Sequence, residues 1–370
     1  MANFHSYLYN VVDVYDCYGS FTWTKPSDID EDKPILVHVW GAGGSGSDAY
    51  NGGSSSQAAS GGGGGGLAVK LIDVSSLGST ETVTVGDTAN AAAQAGTSSF
   101  GAHCSASGGN GGRNSTTNQG ISAYQVGGMG VGGDVNKRGG TGGGGYYAST
   151  SNCGGGGGGS APAPYGHSDG YQGGDASSYA GGGGAGIGGR GNNGVYVGGE
   201  GGSSMGISAF SQSHSSYYAC QPGASGLFGA GASASTRQLS YTTYGGTTAR
   251  NGEPAQGTMI LTPNAIHLGG GAGSSGCTGP ISSGQSTGQC SSAGPGGGGG
   301  GVGSMSTNSY MNPGNGGWLG GGGGGSSYAG AGFGGNAGGG GGNGYYAVSS
   351  TEPHNGGRGL VIIQYARVFS

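Results

Sequence analysis

The chain has 370 residues, of which 103 are glycine, and its formal net charge at pH 7 is -5. Average proteins contain roughly 7% glycine, so this composition is typical of a fibrous, disordered or lattice-forming class and excludes a large conventional apolar core. Collagen is excluded because the strict Gly-X-Y period is missing and only 11 prolines are present. No stretch approaches the ~20 apolar residues of a membrane span, so we expect no membrane insertion.

Charge is distributed unevenly along the chain. Ten of the 16 acidic residues precede residue 91, and charged side chains are sparse from there to residue 350. The sparse region contains only Asp134, Asp169, Asp175, Glu200, Glu253, Arg113, Lys137, Arg138, Arg190, Arg237 and Arg250. Binding to a phosphate backbone requires clustered Lys and Arg, so this region predicts no nucleic-acid partner.

The first hundred residues carry the clearest strand patterns. An opening stretch rich in β-branched and aromatic residues is followed by a short strand pattern at 21–24. Residues 35–40 (ILVHVW) form a nearly continuous apolar run of strand length, which predicts a strand buried on both faces. Residues 67–74 and 81–86 predict two further strands with partial alternation.

Four unbroken blocks of six glycines lie at 61–66, 154–159, 296–301 and 320–325. Ordering a residue costs roughly 1 to 2 kcal/mol of backbone entropy, and more for glycine. An isolated polyproline II helix satisfies none of its own backbone groups, so compensation must come from hydrogen bonds between closely packed neighbouring helices. Close packing requires positions without a Cβ, and unbroken glycine blocks therefore predict a polyglycine II-like lattice.

Regular strand patterns nearly disappear between residues 101 and 357, with one exception. Residues 258–268 contain two short apolar runs around a Pro-Asn pair, which predicts a β-hairpin on an insert. The chain closes on residues 359–365 (GLVIIQY), a strong strand pattern that we expect to pair beside residues 35–40.

We therefore predict a mostly β protein with irregular segments and almost no α-helix. Strands at the two termini form a small β-sandwich that clamps the polyglycine II-like lattice. The predicted boundaries are an attachment segment at 1–20, a strand region with the first glycine blocks at 21–100, the lattice with its Tyr, Ser and Asn loops at 101–357, and a closing strand at 358–370.

Several of these stretches resemble a known family. Residues 21–26 (FTWTKP), 37–44 (VHVWGAGG), 82–86 (TVTVG), 97–101 (TSSFG) and 359–365 are similar to the glycine-rich domain of bacteriophage tail and tail-fibre proteins. The glycine-rich body is similar in kind to the tail-fibre adhesins of T-even-type phages, in which a sandwich of polyglycine II helices presents variable loops to the host surface. The resemblance implies a virion protein of the tail or tail fibre, made in the host cytoplasm, with no catalytic residues.

No motif in the chain indicates a cofactor or a metal site. Asp28, Asp30 and Asp32 alternate like the start of a calcium loop, but Lys33 and Val39 occupy the positions that require Gly and Glu. We interpret this stretch as a solvated acidic turn.

The six cysteines are scattered, with no CxxC and no zinc-like spacing. They are typical of buried or loop thiols in a protein made in a reducing cytosol. A disulfide between Cys277 and Cys290, the one pair close enough in sequence, stays open.

Tyrosines are concentrated in the inserts. Fifteen of the 21 fall between Tyr124 and Tyr346, and Tyr, Ser, Gly and Asn are also the residues that antibodies use in recognition loops. The alternative is that the rings cover the outer faces of the lattice. The candidate receptor-binding residues are Tyr146, Tyr147, Tyr217, Tyr218, Tyr241, Tyr244, Tyr310, Trp318, Tyr345 and Tyr346. If successive helices run up and down, alternate inserts share an end, and we expect those at 203–222, 232–268 and 302–319 at a distal tip.

These observations predict a non-enzymatic adhesin. A nearly neutral, hydroxyl-rich surface suits a host cell-surface saccharide or an outer-membrane protein, bound by multiple copies on one particle. Other phage tail or fibre proteins are the expected attachment partners, with Tyr7, Tyr9, Val11 and Val14 as candidate contacts. Packing of residues 7–15 on their own domain is the alternative that stays open. Two alternatives remain, a purely structural subunit of a tail or extracellular appendage and an ice-binding protein, and the irregular insert lengths argue against the second.

Overall fold

The structure is a computed structural model. It describes residues 8–47, 58–90, 92–115, 120–121, 125–149, 152–165, 168–177, 180–194, 199, 201–202, 259–268, 292–301, 313–325, 330–342 and 355–368. These residues are almost entirely strand and extended chain, with a single 3-10 turn at Val74–Ser76. The predicted fold class is therefore confirmed.

The described strands are short and antiparallel. They are β1 Val11–Tyr15, β2 Gly19–Thr24, β3 Ile35–Trp40, β4 Ala58–Ala59, β5 Leu67–Ile72, β6 Thr80–Val85, β7 Ser98–Phe100, β8 Cys104–Ala106, β9 Asn114–Ser115, β10 Gly120–Ile121, β11 Gly130–Val131, β12 Val135–Lys137, β13 Tyr146–Ser149, β14 Asn152–Gly154, β15 Met259–Thr262, β16 Ala265–Leu268 and β17 Leu360–Tyr365.

Two five-stranded sheets form the β-sandwich. The central sheet has the order β1-β17-β3-β5-β12, and the outer sheet has the order β11-β8-β7-β6-β2. The closing strand β17 pairs antiparallel with β3, with Ile362 opposite His38, as the sequence predicted. The first and last described strands, β1 and β17, are thus neighbours in one sheet.

The core between the sheets is apolar and aromatic. Trp23 packs edge-on against Phe100 and Tyr365, with ring centroids 5.8 Å apart in each pair. The indole Nε1 of Trp23 donates to the Asp13 carboxylate at 3.0 Å, so the one polar atom of this ring is satisfied.

The other face of the central sheet is buried as well, because the glycine-rich body packs on it. Leu36, Trp40 and Ile362 from the sheet contact Ile187 and Leu319 from the body. We call this interface the seam. Every residue of β3 and β17 is buried, which confirms the prediction for residues 35–40.

The glycine-rich body is a lattice of extended runs joined by backbone hydrogen bonds. In the run 61–66, successive N–H groups point to three different neighbours and every third one returns to the same neighbour. Gly62 and Gly65 donate to residues 340 and 337, Gly61 and Gly64 to residues 143 and 140, and Gly63 and Gly66 to residues 110 and 107, all over 2.7 to 3.1 Å. A three-residue period is that of polyproline II, so the lattice prediction is confirmed.

Six runs surround residues 61–66. Besides the three acceptor runs, three more runs donate N–H groups to carbonyls of this run, from residues 41 and 44, from residue 128 and from residue 159. The run 154–159 is surrounded in the same way, by residues 59–62, 140–143, 171–174, 182–185, 322–325 and 339–342. Side-chain-free backbone thus forms a hexagonally packed interior.

Strands β8, β11 and β12 are among those that the sequence did not predict, because regular strand patterns nearly disappear after residue 101. Each is only two or three residues long and β11 contains glycine, so no alternating pattern forms. Their pairing partners supply the order, since β8 pairs with β7 and β12 with β5. Sandwich and lattice are interleaved along the chain, because lattice runs also follow β3 and precede β5.

Candidate functional site

Each run of the lattice extends from one end of the glycine-rich body to the other. The near end meets the central sheet at the seam, where Ala161, Ile187, Leu319 and Ala337 are buried. The far end lies at the opposite ends of the runs, which are roughly 19 Å long for six residues at about 3.1 Å each. Since the runs alternate in direction, successive connecting segments alternate between the two ends.

Tight turns close the runs at the near end. The Gly320 N–H donates to Gly317 O at 2.8 Å, and the Gly338 N–H donates to Gly335 O at 2.7 Å. Leu319 and Ala337 occupy the third positions of these turns with φ of 63° and 60°. Both side chains are fully buried in the seam, so packing holds two non-glycine residues in a conformation that they rarely adopt.

Short strands and polar side chains order the far end. The hairpin β13–β14 follows the run that ends at Gly145, and β10 pairs with β13. The Asp175 carboxylate accepts the N–H of Gly144 at 2.8 Å, and the Asn193 carboxamide oxygen accepts the N–H of Asp175 at 2.8 Å. These side chains satisfy donors where the runs end, as caps do in helices.

Tyr146 and Tyr147 are the candidate receptor-binding residues that the structure describes at the far end. They lie on β13, where Tyr147 pairs with Cys153 and Tyr146 with residue 154. Tyr146 is half-buried and Tyr147 is buried, with 8% of its surface exposed. Tyr147 therefore supports the hairpin, and Tyr146 is the more accessible ring.

A model of the glycine-rich domain family matches residues 16–228, which is more than half of the chain. The chain belongs to this family. A search of curated proteins finds no match. The matched residues contain the β-sandwich except for its first strand β1 and its closing strand β17, together with the runs 61–66 and 154–159.

Several candidate residues lie outside the residues that the structure describes. They are Tyr7, Tyr217, Tyr218, Tyr241, Tyr244, Tyr310, Tyr345 and Tyr346. The Cys277–Cys290 pair also lies outside the described residues. The flanking residues are described, however. Gly301 and Gly342, which precede the segments of Tyr310 and of Tyr345 and Tyr346, bond to Gly199 and Gly156 toward the far end.

The expected distal position is wrong for Trp318 and for residues 259–268. Trp318 lies half-buried at the near end, beside Leu319 in the seam. The hairpin β15–β16 is confirmed, but it packs on the central sheet, where Ile266 is buried and the Gln364 carboxamide donates to Pro263 O at 2.8 Å. Imperfect glycine blocks do not define the number or the direction of the runs, so the sequence alone does not fix the end at which each insert lies.

The segment proposed for attachment is folded onto its own domain from residue 8 onward. Tyr9 is buried in the seam, Val11 packs partly against the sandwich core, and Val14 is 37% exposed on the edge strand β1. Asn264 holds this segment, because its side chain accepts the N–H of Tyr9 at 2.6 Å and donates to Tyr9 O at 2.8 Å.

The seam also contains buried polar side chains that sequence reasoning missed. His38 is fully buried, its ring is stacked on Trp40 and edge-on to Tyr165, and burial, with a smaller effect of Lys137, lowers its pKa to about 3. Lys137 is buried too and donates to Ala163 O at 2.8 Å, and burial lowers its pKa. A histidine inside the apolar run ILVHVW was the available signal.

No metal-binding cluster of three or more His, Cys, Asp or Glu residues occurs within the described ranges. In the same residues, no helix has the length and apolar character needed to cross a membrane.

Proposed function

We propose that this chain is a bacteriophage tail or tail-fibre protein that acts as a host-surface adhesin. The observation that carries the proposal is that the antiparallel runs of the lattice bring several connecting segments to the same end of the body. The glycine-rich body holds Tyr146 and the described flanks of the Tyr310 and Tyr345 segments at one end, opposite the sandwich that contains the first and last described strands. Such a body tolerates changes in its connecting segments, because its own hydrogen bonds join glycine runs and not loops.

Adhesion would proceed through many weak contacts from aromatic and hydroxyl side chains to a neutral saccharide or to an outer-membrane protein. The described part of the lattice carries few charges, so stacking and hydrogen bonding are the interactions available. Several copies on one particle would strengthen the attachment by avidity. The chain would be located in the virion after synthesis in the host cytoplasm.

The test is adsorption competition. Purified, folded protein is mixed with candidate host cells, and infection by the parent phage is then measured. We expect blocked adsorption for the wild-type chain and for a variant with exchanged residues 203–258, whose described flank at Gly202 leads toward the near end. Exchange of residues 302–312 and 343–354, whose described flanks at Gly301 and Gly342 lead toward the far end, should abolish the block. Equal competition by both exchange variants would contradict a far-end receptor site.

A structural subunit is the second candidate, and the open sheet edges favour it. Val14 and Tyr18 are exposed at the β1 side of the sandwich, and Met129 and Val131 are exposed at the β11 side. Exposed apolar residues at the sides of a sheet are suited to contacts between subunits, although Met129 also forms a bridge with Arg138. Sedimentation analysis that shows self-assembly, together with no binding to cells, would favour this candidate over the adhesin.

A further inference from the structure

We propose that His38 makes the seam between the β-sandwich and the glycine lattice acid-labile. Protonation of its imidazole would release residues 161–165 from the central sheet while the core between the two sheets stays folded. This inference concerns the stability of the body and does not depend on the adhesin proposal.

The surroundings of His38 offer no hydrogen-bond acceptor to a protonated imidazole. The ring is completely buried, and neither Nδ1 nor Nε2 has a hydrogen-bond partner. The Trp40 ring lies parallel to it at a centroid distance of 5.7 Å, and the Tyr165 ring lies edge-on at 6.0 Å. A neutral imidazole fits this apolar pocket, whereas an imidazolium would have two N–H donors without acceptors.

The charged and titratable groups of the seam add to this cost. Lys137 contributes a buried ammonium group from β12, and its charge disfavours a second cation at His38. Tyr165 comes from the segment over the ring, and Tyr9 comes from the segment before β1. Gln364 from β17 uses its carboxamide N–H groups on the hairpin β15–β16. Among the described residues, no Asp or Glu side chain is buried, and Asp169, whose carboxylate acts on Lys137, is exposed.

Residues 161–165 lie over His38 and are bonded to the lattice, to the hairpin β15–β16 and to the central sheet. The Ala161 N–H donates to Leu319 O at 2.8 Å, and the Tyr165 hydroxyl is hydrogen-bonded to the backbone of Ile266. Two further bonds join the segment to the central sheet. The indole Nε1 of Trp40 donates to Pro162 O at 3.0 Å, and Lys137 donates to Ala163 O at 2.8 Å. Both contacts lie beside the imidazole, so separation of residues 161–165 from the central sheet would expose His38 to water. The outer-sheet core is on the opposite face of β3 and does not share these contacts.

The direction of the pH effect follows from linkage. The closed seam holds His38 neutral down to a pKa of about 3, and the opened seam returns it to the ordinary value of 6.5. The closed form is therefore favoured above pH 6.5. Below this pH the opening equilibrium constant should rise by up to about tenfold per pH unit, until the pH reaches about 3.

The test compares hydrogen exchange of the amides in residues 161–165 with that of β6 and β7 between pH 7.5 and 4.5, after correction for intrinsic exchange rates. In 161–165 these are the amides of Ala161, Ala163 and Tyr165, because the two prolines have no N–H. In the wild-type chain we expect protection of 161–165 to fall by up to about tenfold per unit below pH 6.5, while β6 and β7 stay protected. His38→Phe keeps the stacking on Trp40 and should remove the pH dependence. His103→Gln, which removes a partly exposed imidazole next to Glu81, is the matched control and should retain it.

Parallel loss of protection in the wild-type and His38→Phe chains would overturn the proposal. If His38→Phe does not fold, an NMR titration of the wild-type imidazole decides instead. We expect no protonation of His38 in the closed form above about pH 4. A midpoint near 6.5 with the seam intact would contradict the inference.

Discussion

The N–H of Gly62 donates to the carbonyl of Gly340 over 2.8 Å, although 278 positions separate the two residues in the chain. A Cβ on Gly62 would lie 2.0 Å from Gly44 O, which belongs to a third run. The hydrogen bonds between runs therefore require glycine at these positions, because the runs can approach closely enough to bond only when no side chain projects between them.

Gly62→Ala should therefore destabilise the protein by about 3 kcal/mol or more, since backbone and not a flexible side chain blocks the new methyl group. Urea unfolding would measure the loss. Gly78→Ala is the matched control, because Gly78 is exposed in a turn and its Cβ would meet its nearest heavy atom at 3.2 Å. We expect that control to change stability by less than about 1 kcal/mol. Equal effects at the two positions would contradict the close-packed lattice.

Leu319 gives a second prediction, because it combines complete burial with a positive φ. Leu319→Ala should lose roughly 2 to 5 kcal/mol of packing. Leu319→Gly loses the same packing but relieves a strain of about 1 to 2 kcal/mol, so it should be at least as stable as the alanine variant.

The control for Leu319 is Leu67, which is equally buried but lies in strand β5. There the glycine variant should be less stable than the alanine variant by roughly 0.5 to 1 kcal/mol. The same order of alanine and glycine at both positions in thermal unfolding would show that the turn conformation is not strained.

Asn264 gives a third prediction, on the link between the insert hairpin and the N-terminal segment. Asn264→Asp keeps an acceptor for the Tyr9 N–H but loses the donor to Tyr9 O, and Asn264→Ala loses both. We expect losses of about 1 kcal/mol per bond, seen as faster hydrogen exchange of residues 9–11. Asn136→Ala, which removes two turn hydrogen bonds at Gly133 on the opposite sheet edge, should leave that exchange unchanged. Faster exchange in the control would indicate a global effect.

Cysteine reactivity gives a fourth prediction. Burial raises the pKa of the Cys104 thiol to about 12, so almost no thiolate forms at pH 8. Cys17 is exposed in the turn between β1 and β2. Iodoacetamide should modify Cys17 in the native protein and Cys104 only after unfolding, as measured by mass spectrometry of peptides. Modification of both residues at similar rates in the folded chain would show that the core opens near β8.

The sequence by itself determined the fold class and showed that the glycine-rich body is held together by backbone hydrogen bonds between closely packed runs. The apolar runs at 35–40 and 359–365 predicted two neighbouring buried strands, and the glycine blocks predicted a lattice, because local composition records which positions exclude a side chain. The hairpin at 258–268 was predicted for a similar reason, since its two apolar runs flank a turn.

Only the tertiary structure decided which end of the lattice each segment reaches. Neighbours of a glycine run are selected by backbone hydrogen bonds between residues far apart in sequence, and glycine carries no side chain that could encode the partner or the direction. The same limit applies to β11 and β12, to Trp318 at the near end, and to His38, whose burial on both sides depends on the seam. Side-chain patterns predict the faces of single strands, whereas the packing of side-chain-free backbone is a property of the assembled body.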